Sequence, residues 1–105
     1  MTESITTAKM TKPQVGDIWY SEYHYADTIY DFYRVTAVSG RKITFEGLQK
    51  SGYGNYNGGD YFVRPTKDTN GTVFSKNWCG KPMKKGYSRM YPWKGDTMVE
   101  HHGMN

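Results

Sequence analysis

The sequence predicts a single all-β domain in the form of a small barrel, SH3-like or OB-like, with five or six short strands. The 105 residues are enough for one compact core and too few for two. Leu occurs once, whereas ten Tyr and three Trp supply bulky side chains that favour strands. Twelve Gly indicate many tight turns, and no segment carries an apolar period of helix length. These observations together favour short strands around an aromatic core.

The first half of the chain is expected to hold an arm and three strands. Residues 1–13 are polar and aperiodic, which predicts a flexible N-terminal arm before a single β domain of residues 14–105. The expected strands of this half are 18–25, 29–38 and 42–46. Ser39-Gly40-Arg41 has turn chemistry between the last two, so they are predicted to form a hairpin.

The second half is richer in turn signals. Residues 49–60 contain four Gly and two Asn and predict a loop, in which Tyr53 and Tyr56 are anchors resting on the domain or on a ligand. Beyond it we expect strands at 61–65, 72–75 and 97–101, a turn at 66–71, and either a strand or one helical turn at 83–90.

The alternation of apolar residues predicts the core of the domain. Trp19, Phe32, Val35 and Phe45 are expected on one buried side of the hairpin region. In a chain so poor in Leu, Trp78 and Trp93 are also expected as core anchors, although stacking on a ligand is the alternative.

Charge is distributed unevenly along the chain. Residues 1–60 carry six Lys/Arg and seven Asp/Glu, whereas residues 61–105 carry eight and three. Four early carboxylates form what we call the acidic ribbon, namely Asp17, Glu22, Asp27 and Asp31. These residues either pair with the basic half and the solvent, or they face a basic nucleic-acid channel as a local mimic of phosphates.

The late half interleaves basic and aromatic residues. The candidate binding residues of this basic-aromatic segment are Lys81, Lys84, Lys85, Tyr87, Arg89, Tyr91 and Lys94. Single-strand binders on small β-barrels combine cations for phosphates with aromatic faces for bases. The segment therefore indicates a surface for nucleic acid or for another anionic partner.

No motif for catalysis or for a cofactor is present in the sequence. Three His and the single Cys79 show no metal-ligand spacing, and the Gly-rich stretch 52–59 lacks the Lys-Ser/Thr of a phosphate loop. We therefore expect no catalytic residue, metal or cofactor. Without an apolar run of membrane length or a signal peptide, and with one Cys, a cytoplasmic protein is expected.

The segment from Gly16 to Gly40 resembles a family of small proteins from bacteriophages, prophages and other mobile elements. The matching positions are Gly16, Asp17, Ile18, Trp19, Tyr20, Ser21, Tyr25, Thr28, Phe32, Tyr33, Val35, Ser39 and Gly40. A looser match covers residues 86–96, through Tyr87-Ser88, Tyr91, Trp93 and Gly95. The resemblance implies a genetic context rather than an activity, and small phage proteins often inhibit host machinery such as CRISPR nucleases.

Three functional hypotheses follow from the sequence. The first is an anti-CRISPR-like, non-catalytic inhibitor in the host cytoplasm that occupies a host protein or nucleoprotein surface. The second is a module that binds single-stranded DNA or RNA directly. The third is a homo-oligomeric structural component of a phage, with strand edges paired between copies.

Overall fold

A computed structural model describes residues 11–24, 27–54, 59–86 and 88–101 of the chain. Seven strands account for most of them: β1 (Ile18–His24), β2 (Thr28–Ser39), β3 (Lys42–Gly54), β4 (Asp60–Asn77), β5 (Lys84–Lys85), β6 (Ser88–Pro92) and β7 (Met98–His101). The described residues include no helix long and apolar enough to cross a membrane.

The strands form one sheet that closes partly into a ring. The order is β3-β4-β7-β2-β1-β6-β5, and an additional β2–β3 pairing joins four of these strands into a cycle. Strand β7 pairs with β4 over four residues but with β2 only at Thr28 and His101. The predicted all-β, barrel-like fold is confirmed. It has seven strands instead of five or six, because the segment expected to hold one strand or a helical turn forms both β5 and β6, while the strands expected at 61–65 and 72–75 are the single β4.

The predicted hairpin is confirmed between β2 and β3. Ser39 pairs with Lys42 across the turn, and Gly40 adopts a positive φ of 59°. Glycine tolerates that conformation at the first turn position, where a side chain would be strained. The turn chemistry and the alternating residues on either side therefore specify the same register.

The loop predicted over residues 49–60 is largely wrong. Strand β3 continues to Gly54 and β4 begins at Asp60, and residues 55–58 lie outside the described part. Gly52 is a paired residue of β3. The Tyr61 ring fills the space beside it, and a Cβ at this position would lie 2.4 Å from a ring carbon. Here glycine accommodates a neighbouring side chain instead of making a turn.

The turn predicted at residues 66–71 is also wrong, because β4 runs through it as a strand. Two irregularities lie here, where Gly47 and Gln49 of β3 each face an excess of β4 residues. The Asn70 side chain stabilises one of them by accepting a hydrogen bond from the Thr72 backbone N–H at 3.0 Å. Turn-forming residues thus mark bulges that bend β4.

The predictions for the two ends of the chain have different outcomes. Of the expected arm, residues 1–10 lie outside the described part, but Pro13 is buried and Lys12 Nζ donates to the Gly40 carbonyl at 2.7 Å. At the other end, residues 83–90 adopt the strand alternative, as the β5–β6 hairpin, and the final strand β7 is present.

Two clusters of buried residues hold the sheet. The sheet core contains Trp19, Tyr33, Val35, Ile43, Phe45, Met83 and Met90. The ring core contains Phe32, Leu48 and Val63, with Met98 packed against them, so every strand of the ring contributes to it. The predicted burial of four side chains is confirmed, namely Trp19, Phe32, Val35 and Phe45. The prediction that all four lie on one side of the hairpin region is wrong. Phe32 belongs to the other cluster because its side chain alternates with that of Tyr33.

Candidate binding site

The β5–β6 hairpin brings two exposed cations together. Lys84 pairs directly with Arg89 across the two strands. The hairpin is anchored by the buried Met83 and Met90, joined by a backbone hydrogen bond of 2.8 Å. Like charges on directly opposed residues are unfavourable unless an anion lies between them. The pair therefore presents a ready site for a negatively charged group such as a phosphate.

Beside this pair lies a cluster of aromatic rings that we call the aromatic face, namely Tyr20, Tyr30, Phe32, Tyr91 and Trp93. Tyr91 alternates with Met90 and so shares the side of Arg89. Its ring centroid lies 5.5 Å from that of Tyr20, which in turn lies 5.7 Å from Tyr30. Phe32 is buried beneath, and the other four rings are half-buried. The cluster offers partly exposed π-surfaces next to the cation pair.

Burial and nearby carboxylates keep two of these phenols neutral. Desolvation raises the pKa of Tyr20 above its usual 10.0, and the Glu22 and Asp96 carboxylates raise it further. The pKa of Tyr30 is also raised, first by burial and next by the Glu22 carboxylate. Both hydroxyls therefore stay protonated at neutral pH and retain a proton to donate.

The structure scatters the rest of the basic-aromatic segment. Lys85 lies on the opposite side of the hairpin from Lys84, with its Nζ 5.0 Å from the Phe74 ring centroid. Lys81 and Lys94 are exposed outside the strands, and Tyr87 lies outside the described residues. Of the predicted residues, only Lys84, Arg89 and Tyr91 thus form one surface.

Both remaining tryptophans fulfil the structural expectation. Trp78 packs edge-on against Trp19, with ring centroids 6.4 Å apart, and belongs to the rim of the sheet core. Trp93 packs against Phe32 at 6.1 Å and donates its Nε1 proton to the Asp96 carbonyl at 2.7 Å. Arg64 lies over the Trp93 ring at 5.2 Å.

The acidic ribbon is not one surface. In the β1–β2 register Ser21 faces Asp31 and Glu22 faces Tyr30, so Glu22 and Asp31 point to opposite sides of the sheet. Asp17 precedes β1 and accepts a hydrogen bond from the Gln14 N–H at 2.9 Å. Asp27 lies beyond the other end of β1, across the β1–β2 connection. A phosphate mimic needs neighbouring charges, which these four positions do not supply.

A second exposed feature is a cross-strand row on β3, β4 and β7. Tyr53 pairs with Phe62, and Phe62 pairs with Val99. The rings of Tyr53 and Phe62 are stacked with centroids 5.2 Å apart, although Tyr53 keeps 66% of its surface exposed. Tyr53 thus contacts the domain as one of the two predicted anchors. The other, Tyr56, lies outside the described residues.

A buried charge that sequence reasoning missed lies in the ring. Glu100 on β7 is 1% exposed, and its Oε2 accepts from Lys50 Nζ at 2.6 Å and from the Tyr30 backbone N–H at 3.0 Å. Lys50 Nζ also lies 4.0 Å from Asp31. The contacts join β3, β7 and β2, so this cluster closes the ring where β7 and β2 share only one residue pair. Alternation along β7 places Glu100 on the same side as Met98, but the sequence alone favours the reverse, with the apolar Val99 inside and Glu100 outside.

Within the described residues, no group of three or more His, Cys, Asp or Glu side chains is arranged to hold a metal ion. His101 Nδ1 lies 3.3 Å from Asp60, and both side chains are exposed. Cys79 is an exposed free thiol.

The fold and this site define a small, all-β protein whose most distinctive surface feature is a cation pair beside an aromatic cluster. Compared with known proteins, the chain matches no family model, no curated protein and no solved structure. The finer SH3-like or OB-like assignment and the resemblance to phage proteins therefore stay predictions.

Proposed function

We propose that the protein is a non-catalytic binding protein that contacts single-stranded nucleic acid through the β5–β6 hairpin and the aromatic face. The observation that carries this proposal is the exposed cross-strand pair of Lys84 and Arg89 next to Tyr91. A strand of nucleic acid supplies phosphates for the two cations and planar bases for the rings.

The two parts of the surface contribute differently to affinity. Neutralisation of Lys84 and Arg89 by phosphates releases counterions, so this contribution weakens as salt is added. Stacking on the half-buried Tyr91 and Tyr20 is tolerant of sequence, because every base has a π-face. We therefore expect binding with little sequence preference and a clear dependence on ionic strength.

The test is a titration of a fluorescent single-stranded oligonucleotide at several salt concentrations. In the variant Lys84→Gln/Arg89→Gln we expect weaker binding, and the slope of log K against log salt should fall by roughly 0.7 for each lost phosphate contact. The matched control is Lys42→Gln/Lys67→Gln, which removes two exposed cations from the start of β3 and from β4. It has the same net charge and should keep the wild-type slope.

Equal slopes in both variants would contradict the proposal, because the basic composition alone would then explain the binding. An unchanged affinity after Tyr91→Ala would contradict the stacking contribution. Loss of about 1–3 kcal/mol of binding free energy is the expected result for a base-stacking side chain.

A second candidate is the phage-type inhibitor that the resemblance implies, acting in the host cytoplasm on a defence complex such as a CRISPR nuclease. It is favoured by the exposed row of Tyr53, Phe62 and Val99, because exposed aromatic residues often anchor protein interfaces. Because the acidic ribbon is scattered, this candidate is proposed to use the row as its contact surface instead of the carboxylates.

This candidate is tested by capture of a purified defence nuclease complex on the immobilised protein. The variant Tyr53→Ser/Val99→Thr should lose the complex, whereas Asp27→Asn/Asp31→Asn should retain it. If Tyr53→Ser/Val99→Thr retained the complex and Asp27→Asn/Asp31→Asn lost it, the contact surface would be the acidic ribbon instead of the row.

A further inference from the structure

A cavity of about 420 Å³ opens on the side of the sheet opposite the aromatic face. Its walls come from paired residues of β1 and β2, where Ser21 faces Asp31 and Tyr23 faces Ile29, and from Lys85 of the hairpin. Pockets that hold small organic groups in proteins commonly enclose about 300–1,000 Å³. The cavity therefore has room for a planar ring system with its attached sugar.

The polar base of this cavity is a pair of buried hydroxyls. Ser21 Oγ and Tyr33 Oη lie 2.9 Å apart and share one hydrogen bond. Two hydroxyls carry two protons, of which only one is used within the pair. Among the described residues neither hydroxyl has another partner. Burial chiefly raises the pKa of Tyr33, so its proton is retained at neutral pH. One O–H is thus free to donate to an occupant of the cavity.

The walls combine an aromatic ring with two opposite charges. Tyr23 keeps half of its surface exposed, which leaves ring area free for stacking, and Ile29 lies beside it. Lys85 lines the cavity while its ammonium lies over the Phe74 ring, and the Asp31 carboxylate, 57% exposed, supplies acceptors. Its nearest cation, Lys50, is 4.0 Å away and makes its shorter contact of 2.6 Å with Glu100. Asp31 therefore keeps acceptor capacity for an occupant.

We propose that this cavity binds a nucleobase, whose ring stacks on Tyr23. An acceptor atom on the edge of the base takes the hydrogen bond from the free hydroxyl, and an amino group of the base donates to Asp31. A purely apolar occupant would leave the free hydroxyl proton without an acceptor and would cover the exposed Asp31 carboxylate, which is unfavourable. A simple anion would face Asp31, and a simple cation would face Lys85. A base carries acceptors and donors on one planar ring and satisfies all of these groups.

This inference deepens the proposed binding of single-stranded nucleic acid, on which it rests for the source of the base. Lys84 and Lys85 are adjacent in β5 and lie on opposite sides of the hairpin. Strand β5 is the edge of the sheet, so a strand bound at Lys84 and Arg89 on one side can cross this edge and place one unstacked base in the cavity on the other. A free nucleotide offers the same chemistry, and the experiment separates the two sources.

The probes are AMP, CMP and ribose 5-phosphate, titrated into the isotope-labelled protein and followed by its amide NMR signals. We expect both nucleotides to shift signals of β1, β2 and β6 around Ser21, Ile29 and Ser88, and ribose 5-phosphate to shift none of them. Tyr23→Ala should weaken nucleotide binding about tenfold, as expected for one lost stacking side chain. Tyr23 is exposed, so this variant should stay folded.

A second variant tests the buried hydroxyls. Ser21→Ala/Tyr33→Phe keeps the ring of Tyr33 in the sheet core and should weaken nucleotide binding about tenfold, the value of one lost hydrogen bond at the upper end of its range. Tyr53→Phe is the matched control, because it removes a hydroxyl from an exposed residue that does not line the cavity. Equal binding by ribose 5-phosphate, or undiminished binding by both cavity variants, would overturn the proposal.

The outcome for the oligonucleotide separates this inference from the proposed function. Oligonucleotide binding that depends on Lys84 and Arg89 but not on Tyr23 or the hydroxyl pair would overturn the cavity site alone. Nucleotide shifts that depend on Tyr23, without any oligonucleotide binding, would support a site for free nucleotides and overturn the proposed function.

Discussion

The sheet core and the ring core both bury a phenylalanine completely, yet the first contains only neutral buried polar groups and the second lies beside a buried charge. In the sheet core the Trp19 indole N–H is buried, and no described residue accepts from it. In the ring core the buried carboxylate is Glu100, and it accepts hydrogen bonds from Lys50 and Tyr30. One cluster tolerates an unpaired donor, and the other contains a charge whose partners come from two further strands.

The difference shows how each cluster keeps its shape. The sheet core is held by close packing of rings, such as Phe45 stacked on Phe74 with centroids 5.2 Å apart. The volumes of the side chains therefore decide which residues fit there. The ring core includes a charged contact that fixes which strands meet, because a buried ion is stable only with its own partners. Loss of packing should therefore affect both clusters alike, whereas loss of charge should affect only the ring.

The largest expected effect is the loss of either buried phenylalanine. Phe32→Ala in the ring core and Phe45→Ala in the sheet core should each lower the free energy of unfolding by about 3–5 kcal/mol. Both side chains are fully buried, so the two costs should be similar. Urea unfolding followed by tryptophan fluorescence measures them, and an unchanged midpoint for either variant would contradict the burial of that side chain.

Removal of the partner of Glu100 should affect the ring almost as strongly. Lys50→Met leaves a buried carboxylate without its cation, and breaking such a pair typically costs about 3–5 kcal/mol. The lower end of the range is expected, because the Lys50 side chain is 28% exposed and water can reach the site. Urea unfolding again provides the measurement.

The matched control is the double variant Lys50→Met/Glu100→Gln. Its neutral amide can still accept a hydrogen bond from the Tyr30 N–H, so most of the lost stability should return. A double variant as unstable as Lys50→Met alone would show that lost packing, and not an isolated charge, causes the effect.

A smaller effect is expected where the ring core packs against glycine. In Gly52→Ala the new methyl group overlaps the Tyr61 ring, which must move away, and overpacking of this kind costs about 1–3 kcal/mol. In the background Tyr61→Val the same substitution should cost much less, because the ring is absent. A cost that is equal in both backgrounds would instead point to the β3 backbone.

The smallest effect is expected from alkaline pH. Burial chiefly raises the pKa of Tyr20, Tyr30 and Tyr33 above the usual value of 10.0. The unfolded chain ionises these phenols at lower pH than the folded chain does, so stability should be constant below about pH 9 and fall above about pH 10. Urea unfolding at several pH values measures it. A stability that rises with pH in this range would contradict the raised pKa values.

Local chemistry predicts those parts of the fold that depend on neighbouring residues. Ser39-Gly40-Arg41 predicts the β2–β3 turn because its glycine has the conformation that the turn requires. The same residue type misleads at Gly52, where the reason for glycine is the distant Tyr61 ring. The sequence between Gly52 and Tyr61 gives no sign of that contact, so its composition predicts a loop where the structure has strands.

The candidate site was only partly predictable for a related reason. Alternation places Arg89 and Tyr91 on one side of β6, but only the hairpin register brings Lys84 to Arg89 and takes Lys85 to the other side. The acidic ribbon does not form one surface, because the β1–β2 register places Glu22 and Asp31 on opposite sides of the sheet. Composition counts charges, whereas strand register decides which charges are neighbours.

The closure of the ring by β7 also determines when the protein can fold. Glu100 and its partner Tyr30 are 70 residues apart, and β7 must reach both β2 and β4. During synthesis, β2, β3 and β4 therefore leave the ribosome with the apolar side of the future ring uncovered until residue 101 has followed. Such non-local pairing folds slowly and exposes unpaired strand edges meanwhile. Nascent chains of this protein should accordingly depend on chaperones that bind apolar strands, and expression at lower temperature should raise the soluble yield.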